Sequence, residues 1–238
     1  MADTGNHRIQ VFEADGTFVA AWDGLGLMLP RDLAFDSLGE AHIADTGNNR
    51  IVRVNASGVY QDAWGEGGAA EGAFSHPSRI LVDGEDRVYV TDMDNFRIQR
   101  FSREGAFQLA WGEEGHGTGQ FARPDGIALD SFGRILTTDS AWHDRIPVFP
   151  ADGDFVSAWG SQRGGPNEYD GPTDIAVDGA GNIYVTDFGN SRIQKLNPEG
   201  RFLEYWGPEP GEEGQCTQPY SIAISTFRHL AFAYDLYH

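Results

Sequence analysis

A motif of ten or eleven residues occurs five times along this chain and limits what the chain can fold into. Its first copy is DTGNHRIQVF, and the later copies are DTGNNRIVRV, DMDNFRIQRF, DSAWHDRIPVF and DFGNSRIQKL. The motif begins at Asp3, Asp45, Asp92, Asp139 and Asp187, so the spacings are 42, 47, 47 and 48 residues. A nearly constant period of this length predicts one supersecondary unit per period.

Each period contains four short hydrophobic runs separated by turn residues. In the period at 172–206 we predict strand a at Ile175–Val177, strand b at Ile183–Thr186, strand c at Arg192–Leu196 and strand d at Phe202–Trp206. The runs are β-branched and aromatic, and Gly, Asn, Asp and Pro lie between them. No run keeps a helical period. Four short antiparallel strands per period predict an all-β fold, a β-propeller.

The two ends of the chain are complementary in this scheme. The chain starts with strands c and d, at Arg8–Phe12 and Phe18–Trp22, and ends with strands a and b, at Ser221–Ile224 and Leu230–Tyr234. Pairing these halves would leave no open sheet edge in the ring. We therefore predict one propeller domain over residues 1–238 whose ring is closed in this way. Its five blades are 30–64, 77–111, 124–159, 172–206, and 219–238 together with 1–22.

The motif, the Trp-Gly that follows it and a later Pro-x-x-Ile-Ala-x-Asp resemble NHL repeats in all five periods. The resemblance implies an NHL-type propeller, usually of six blades, so a six-bladed ring lacking one blade is the alternative. Some NHL-type propellers resemble zinc-dependent peptidyl-hydroxyglycine amidating lyases, whose histidines project from the starts of inner strands. Here the two positions after each strand-a proline hold no histidine.

Residues that every blade repeats are expected to serve the fold. The motif aspartate can accept backbone N–H groups, and the motif arginine can bind a carboxylate with its planar fork. Gly5, Gly47 and Gly189 are predicted to supply positive φ angles. One tryptophan ends strand d of each period and is predicted to pack between blades; these are Trp22, Trp64, Trp111, Trp159 and Trp206.

The composition limits the classes of partner that the chain is expected to bind. The formal net charge is −19, and Lys195 is the only lysine. Such a chain repels phosphate backbones, so we predict no nucleic-acid partner, whereas cations or basic proteins suit it. No apolar run is long enough to span a membrane, and we expect no signal peptide. We predict a monomer without a membrane partner, either cytoplasmic or secreted after signal removal.

The first candidate site follows the proline that starts each strand a. The strand directions place these residues on one face, the top, around the mouth of the central channel; they are Arg31, Asp32, Arg79, Asp125, Asp174 and Tyr220. The carboxylates of Asp32, Asp125 and Asp174 are candidates for binding a divalent cation or a small polar ligand. The structural alternative is a network of exposed ion pairs, each contributing about 0–1 kcal/mol.

The second candidate site is in the turns between strands b and c, on the same face. The fourth turn is one residue longer than the others and contains Trp142 and His143, and Phe96 lies in the third turn. Trp142 is the one tryptophan outside the strand-d series. Exposed aromatic residues are common anchors for partners, while a tryptophan folded over its own loop is the structural alternative.

Three functions remain open from the sequence. The first is a non-enzymatic binding scaffold that uses the acidic top face for a protein or a small polar ligand, without a cofactor. The second is a metal-dependent lyase or hydrolase at the channel mouth, using Asp32, Asp125 and Asp174 with nearby histidines. The third is a bare repeat array, natural or engineered, that has no dedicated ligand.

Overall fold

The structure is a computed structural model that describes residues 1–207, 217–225 and 230–235. It has an all-β fold, a β-propeller of five blades that are mostly four-stranded antiparallel sheets. The chain divides into two compact units, Met1–Trp111 and Gly112–His238. The closure of the ring by strands from the two ends, and the single-domain organisation, stay predictions.

The first unit contains one three-stranded sheet and two four-stranded sheets. The three-stranded sheet consists of β1 (Ala2–Asp3), β2 (Arg8–Phe12) and β3 (Phe18–Trp22). The next sheet consists of β4 (Pro30–Phe35), β5 (Ala41–Asp45), β6 (Arg50–Val54) and β7 (Tyr60–Trp64). The third consists of β8 (Pro77–Val82), β9 (Val88–Asp92), β10 (Arg97–Phe101) and β11 (Phe107–Trp111). Short 3-10 helices form the b–c turns, at Thr4–Asn6, Thr46–Asn48 and Met93–Asn95.

The second unit contains two four-stranded sheets and one two-stranded sheet. The first sheet consists of β12 (Pro124–Leu129), β13 (Ile135–Asp139), β14 (Ile146–Phe149) and β15 (Ser157–Trp159). The second consists of β16 (Pro172–Val177), β17 (Ile183–Asp187), β18 (Arg192–Leu196) and β19 (Phe202–Trp206). The two-stranded sheet consists of β20 (Pro219–Ser225) and β21 (Leu230–Asp235).

The core lies between successive sheets of each unit. All five residues of β5 are buried, as are all five of β17, because strand b is covered on both faces. In the first unit, Phe101 of β10 and Phe74 of the crossover before β8 pack with Ile51 of the preceding sheet. In the second unit, Tyr169 and Val185 pack with residues of β12 to β14 in the same way. The strands therefore bury hydrophobic side chains on both faces of a blade.

The strand-d tryptophans pack on the c–d hairpin of the following sheet. A Cβ atom added to the hairpin glycine would lie 2.3–2.4 Å from the indole, so only glycine fits there. The pairs are Trp22 with Gly58, Trp64 with Gly105, and Trp159 with Gly200. These three contacts confirm the prediction of packing between blades for Trp22, Trp64 and Trp159.

The motif aspartate and arginine fasten the d–a crossover to the b–c turn. Asp92 accepts the backbone N–H of Ser75 at 2.6 Å and Nε of Arg97 at 2.8 Å. Nη2 of Arg97 donates to the carbonyls of Ala70 and Ala73, both at 2.8 Å. The same arrangement recurs after β17. The structural role predicted for the motif is confirmed.

The glycines of the motif do not supply the positive φ angle, so that prediction was wrong. The left-handed residue is instead the one just before the motif arginine, namely His7 at 57°, Asn49 at 52°, Phe96 at 55° and Ser191 at 53°. Gly47 and Gly189 permit a close approach of the crossover. A Cβ atom on them would lie 2.8 Å from the carbonyl oxygen of Met28 and 2.9 Å from that of Asp170, respectively.

Candidate functional site

The residues that follow each strand-a proline are called here the inner-strand residues. In the first unit they are Arg31 and Asp32 on β4 and Arg79 on β8. In the second unit they are Asp125 on β12, Asp174 on β16 and Tyr220 on β20. Pairing with strand b shifts register just after each of these prolines. Such a bulge changes the direction of the side chains beside it.

Two of the predicted cation ligands bind the neighbouring sheet of their own unit. Oδ2 of Asp32 accepts the backbone N–H of Ile80 at 3.0 Å. Oδ2 of Asp174 accepts the backbone N–H of Ile222 at 3.0 Å and Oγ of Ser221 at 2.6 Å. Each carboxylate therefore joins the start of one strand a to the start of the next. Both aspartates have a structural role that the sequence did not reveal.

The inner-strand residues are less accessible than a network of exposed pairs requires. Arg79, Asp125 and Asp174 are 5%, 3% and 7% exposed, so that alternative was wrong for them. Arg31 donates from Nη1 to Oγ of Ser78 at 3.2 Å. The ring of Tyr220 meets Phe188 edge-on, with 6.4 Å between centroids. These side chains therefore contact other residues of their own unit.

A metal centre is not assembled in the part of the chain that the structure describes. Within residues 1–207, 217–225 and 230–235, no group of three or more His, Cys, Asp and Glu side chains is arranged to hold a metal ion. A divalent cation bound by Asp32, Asp125 and Asp174 stays a prediction.

The fourth b–c turn departs from the repeat in the structure as well as in the sequence. The β13–β14 ladder has only two pairs, which end at Leu136 opposite Val148, before an isolated bridge joins Asp139 to Arg145. Pro147, the residue before Val148, has no N–H to continue the ladder. The extra residue and this break widen the turn at 140–144.

The widened turn brings four side chains together, called here the Trp142 cluster: Asp139, Trp142, His143 and His116. Trp142 is 54% exposed, and its indole stacks on His116 with 5.2 Å between centroids and 24° between planes. Nδ1 of His116 lies 2.9 Å from Nε2 of His143. Nδ1 of His143 lies 3.3 Å from Oδ2 of the buried Asp139. The cluster presents an exposed indole that stacks on His116, and His116 in turn contacts His143.

His143 takes the place that asparagine occupies in other blades. There the asparagine side chain donates both to the motif aspartate and to a crossover carbonyl, as for Asn48 with Gly26, Asn95 with Gly68 and Asn190 with Arg163. In the fourth turn a histidine on the crossover, His116, replaces the carbonyl. Sequence reasoning singled out Trp142 and His143 but missed their contact with His116, and the histidine in an asparagine position was the available signal.

Phe96 lies in the third b–c turn, in the first unit. It is half-buried and occupies the left-handed position that ends the 3-10 helix Met93–Asn95. Met93, the first residue of that helix, is buried, and its Sδ lies 3.9 Å from Nη1 of Arg31. Phe96 therefore offers a smaller exposed aromatic surface than Trp142.

Replacing Asp144 by asparagine should stabilise the protein at neutral pH. Burial raises the pKa of Asp144, and the negative charges of Asp170 and Asp187 add to the effect against the hydrogen bond from Gly171 N–H. Because the pKa of Asp144 is raised in the folded state, ionising this carboxyl group costs stability. The stability contributed by protonated Asp144 is therefore present below the ordinary pKa of aspartate and is lost as pH rises through the raised pKa. We expect Asp144→Asn to raise Tm by about 1–3 °C at pH 7 and not at pH 3.5. Thermal unfolding at the two pH values measures this, and an equal shift at both would contradict the assignment.

Comparisons with known proteins place the fold. The NHL repeat model matches residues 169–196, which confirms the resemblance for that segment. Virginiamycin B lyase from Staphylococcus aureus, in a structure with quinupristin, is similar with a TM-score of 0.70 and 17% identity over 98% of this chain and 79% of its own. A gluconolactonase from Xanthomonas campestris is similar with a TM-score of 0.72 and 14% identity over 98% and 77%. A chain of the nidogen–laminin complex is similar with a TM-score of 0.71 and 17% identity over 96% and 82%.

These likenesses concern the fold and not the activity, since one fold hosts many functions. No curated protein matches the chain in sequence. None of the helices among the residues described is both long enough and apolar enough to cross a bilayer.

Proposed function

We propose that this chain is a non-enzymatic binding protein whose contact surface is the Trp142 cluster and whose partner is a basic protein segment. The observation that carries the proposal is the 54% exposure of Trp142, a ring held in place by its stack on His116. A large aromatic side chain that is already ordered loses little conformational entropy on binding. Tryptophan is also among the residues that contribute most to interfaces.

Charge around the cluster supports a basic partner. The crossover that carries His116 also exposes Glu113 and Glu114, and the whole chain carries −19. Carboxylates beside an aromatic anchor favour a segment that has lysine or arginine next to an apolar residue. They would also speed its association at low salt.

The compared structures are compatible with this proposal without deciding it. Nidogen, in a complex with laminin, gives a precedent for a protein partner on a similar fold. The lyase and the gluconolactonase give precedents for enzymes. The metal-dependent alternative at Asp32, Asp125 and Asp174 is the weaker one, since Asp32 and Asp174 already bind backbone N–H groups.

The proposal predicts which peptides the protein selects. A random peptide library panned on the wild type, with counter-selection on Trp142→Ala, should yield sequences that combine basic and apolar residues. Trp142→Ala should weaken their binding at least about tenfold, because the loss of an aromatic anchor typically exceeds 1.4 kcal/mol. The matched control is Leu38→Ala, since Leu38 is 70% exposed on an a–b hairpin and should leave affinity unchanged.

Two results would overturn the proposal. Peptides that bind Trp142→Ala as well as the wild type would place the contact surface elsewhere. A library that yields no binder, together with selective binding of a small polar ligand that Trp142→Ala leaves intact, would favour the inner-strand residues instead. Both variants should unfold at the wild-type temperature, since exposed side chains contribute within about 0.5 kcal/mol of stability.

A further inference from the structure

We propose that His116 and His143 form a binding site for a transition-metal dication of the class that prefers imidazole ligands, zinc(II) or copper(II). The two rings come from different segments, the 112–123 crossover and the fourth b–c turn, and meet with 2.9 Å between Nδ1 of His116 and Nε2 of His143. Imidazole nitrogen is a ligand that zinc and copper share, whereas magnesium and calcium take oxygen ligands. The site is separate from the inner-strand residues and does not depend on the proposed protein partner.

Asp139 orients His143 for metal binding. Its carboxylate is fully buried, and Oδ2 lies 3.3 Å from Nδ1 of His143. When Nδ1 donates its proton to this oxygen, Nε2 keeps its lone pair and directs it at His116. Metal-binding histidines usually donate their other ring N–H to a carboxylate or a carbonyl in this way. The other blades have an asparagine at the position of His143, and its side chain could not serve as an imidazole ligand.

A metal ion can replace the proton that the two rings share. With His143 in this tautomer and no metal bound, the Nδ1–H of His116 donates to Nε2 of His143. A tetrahedral zinc ion with Zn–N bonds of about 2.0–2.1 Å needs its two nitrogens about 3.3 Å apart. The rings must therefore separate by about 0.4 Å from their present 2.9 Å. His116 is exposed on a loop, so it can make this shift, and its ring then carries the proton on Nε2.

The surroundings predict an open site of modest affinity. Among the residues that the structure covers, no third His, Cys, Asp or Glu joins the pair to complete a metal-binding group, so water would fill the remaining positions. Arg145 is the nearby cation: its Nε lies 3.3 Å from Oδ2 of Asp139, and its Nη2 donates to the carbonyls of Gly117 and Gln120. Asp139 offsets that charge, and the net charge of −19 attracts cations.

Isothermal titration of zinc chloride into tag-free, EDTA-dialysed protein tests the site. We expect one zinc ion per chain with a micromolar Kd. His116→Ala and His143→Asn should each weaken binding at least tenfold, and His143→Asn should fold normally because it introduces the residue found in the other b–c turns. The matched control is His76→Asn, which removes an exposed histidine on the crossover before β8; Nδ1 of this histidine lies 2.6 Å from Oδ2 of Asp94. This control should bind zinc like the wild type.

Copper(II) gives a second, independent measurement. A copper ion between the two imidazoles would lie next to the indole that stacks on His116, so it should quench part of the tryptophan fluorescence. Trp142→Phe should remove that quenching without removing the zinc heat. Equal zinc affinity in the wild type, His116→Ala and His143→Asn, or no zinc binding by the wild type, would overturn the proposal.

Discussion

Replacing Asp187 by alanine should lower the free energy of unfolding by about 3–5 kcal/mol. The carboxylate is fully buried and accepts Nε of Arg192 at 2.7 Å and Nε2 of Gln194 at 2.9 Å through Oδ2. Its Oδ1 accepts the backbone N–H of Asp170 at 2.8 Å. Alanine would leave the guanidinium of Arg192, whose side chain is 7% exposed, buried with carbonyl partners but no counter-charge. An uncompensated buried charge is among the most destabilising results of a single substitution.

Urea unfolding followed by tryptophan fluorescence measures this effect. The slope of the free energy of unfolding against urea concentration should stay the same, because the surface exposed on unfolding does not change. The matched control is Asp94→Ala, because Asp94 lies in an equivalent turn but its side chain is 49% exposed and binds only the exposed His76 in the contacts described. Asp94→Ala should change stability by no more than about 0.5 kcal/mol. A loss at Asp187 no larger than the loss at Asp94 would show that the Asp–Arg pair does not hold the crossover.

The strands could be predicted from sequence because their signals are local and occur five times. Predicted strands c and d coincide with β18 (Arg192–Leu196) and β19 (Phe202–Trp206). Strand a was predicted too short, since β16 begins at Pro172. Proline can occupy the first position of a strand because no N–H partner is needed there. The hydrophobic pattern that begins after the proline therefore predicted a strand that was too short.

The turn geometry was harder to predict because two residue types can explain the same bend. Glycine in the motif suggested a positive φ, yet Ser191 and Asn49 adopt it. Gly189 is instead required by the close approach of the crossover, and that contact cannot be recognised from the neighbouring residues in the sequence. A contact between segments 19 residues apart, Gly189 with Asp170, decides the choice.

The candidate site was only partly predictable for the same reason. The irregular fourth turn identified Trp142 and His143, because departures from a repeat are visible in the sequence. The pairing of His143 with His116 joins residues 27 apart and depends on how the crossover folds. Periodicity likewise indicated where Asp32 and Asp174 lie but not that the next strand offers each of them a backbone N–H.

Replacing Asp174 by alanine should cost about 2–3 kcal/mol of stability, whether or not divalent ions are present. The substitution removes the acceptor for the N–H groups of Ile175 and Ile222, at 2.9 and 3.0 Å, and for Oγ of Ser221 at 2.6 Å. Buried donors left without an acceptor lose their full hydration free energy. Asp174→Asn keeps one oxygen and should cost less.

The same variant separates the structural role of Asp174 from the predicted cation site. Thermal unfolding of the wild type and of Asp174→Ala would be compared in EDTA and in calcium, magnesium or zinc, with the exposed Asp154→Ala as the control for removing one negative charge. If Asp174 only joins β16 to β20, the loss is the same in every buffer. An ion that stabilises the wild type but not Asp174→Ala would instead show that this carboxylate also binds a cation, because a ligand at 100 times its Kd adds about 2.7 kcal/mol to the folded state alone.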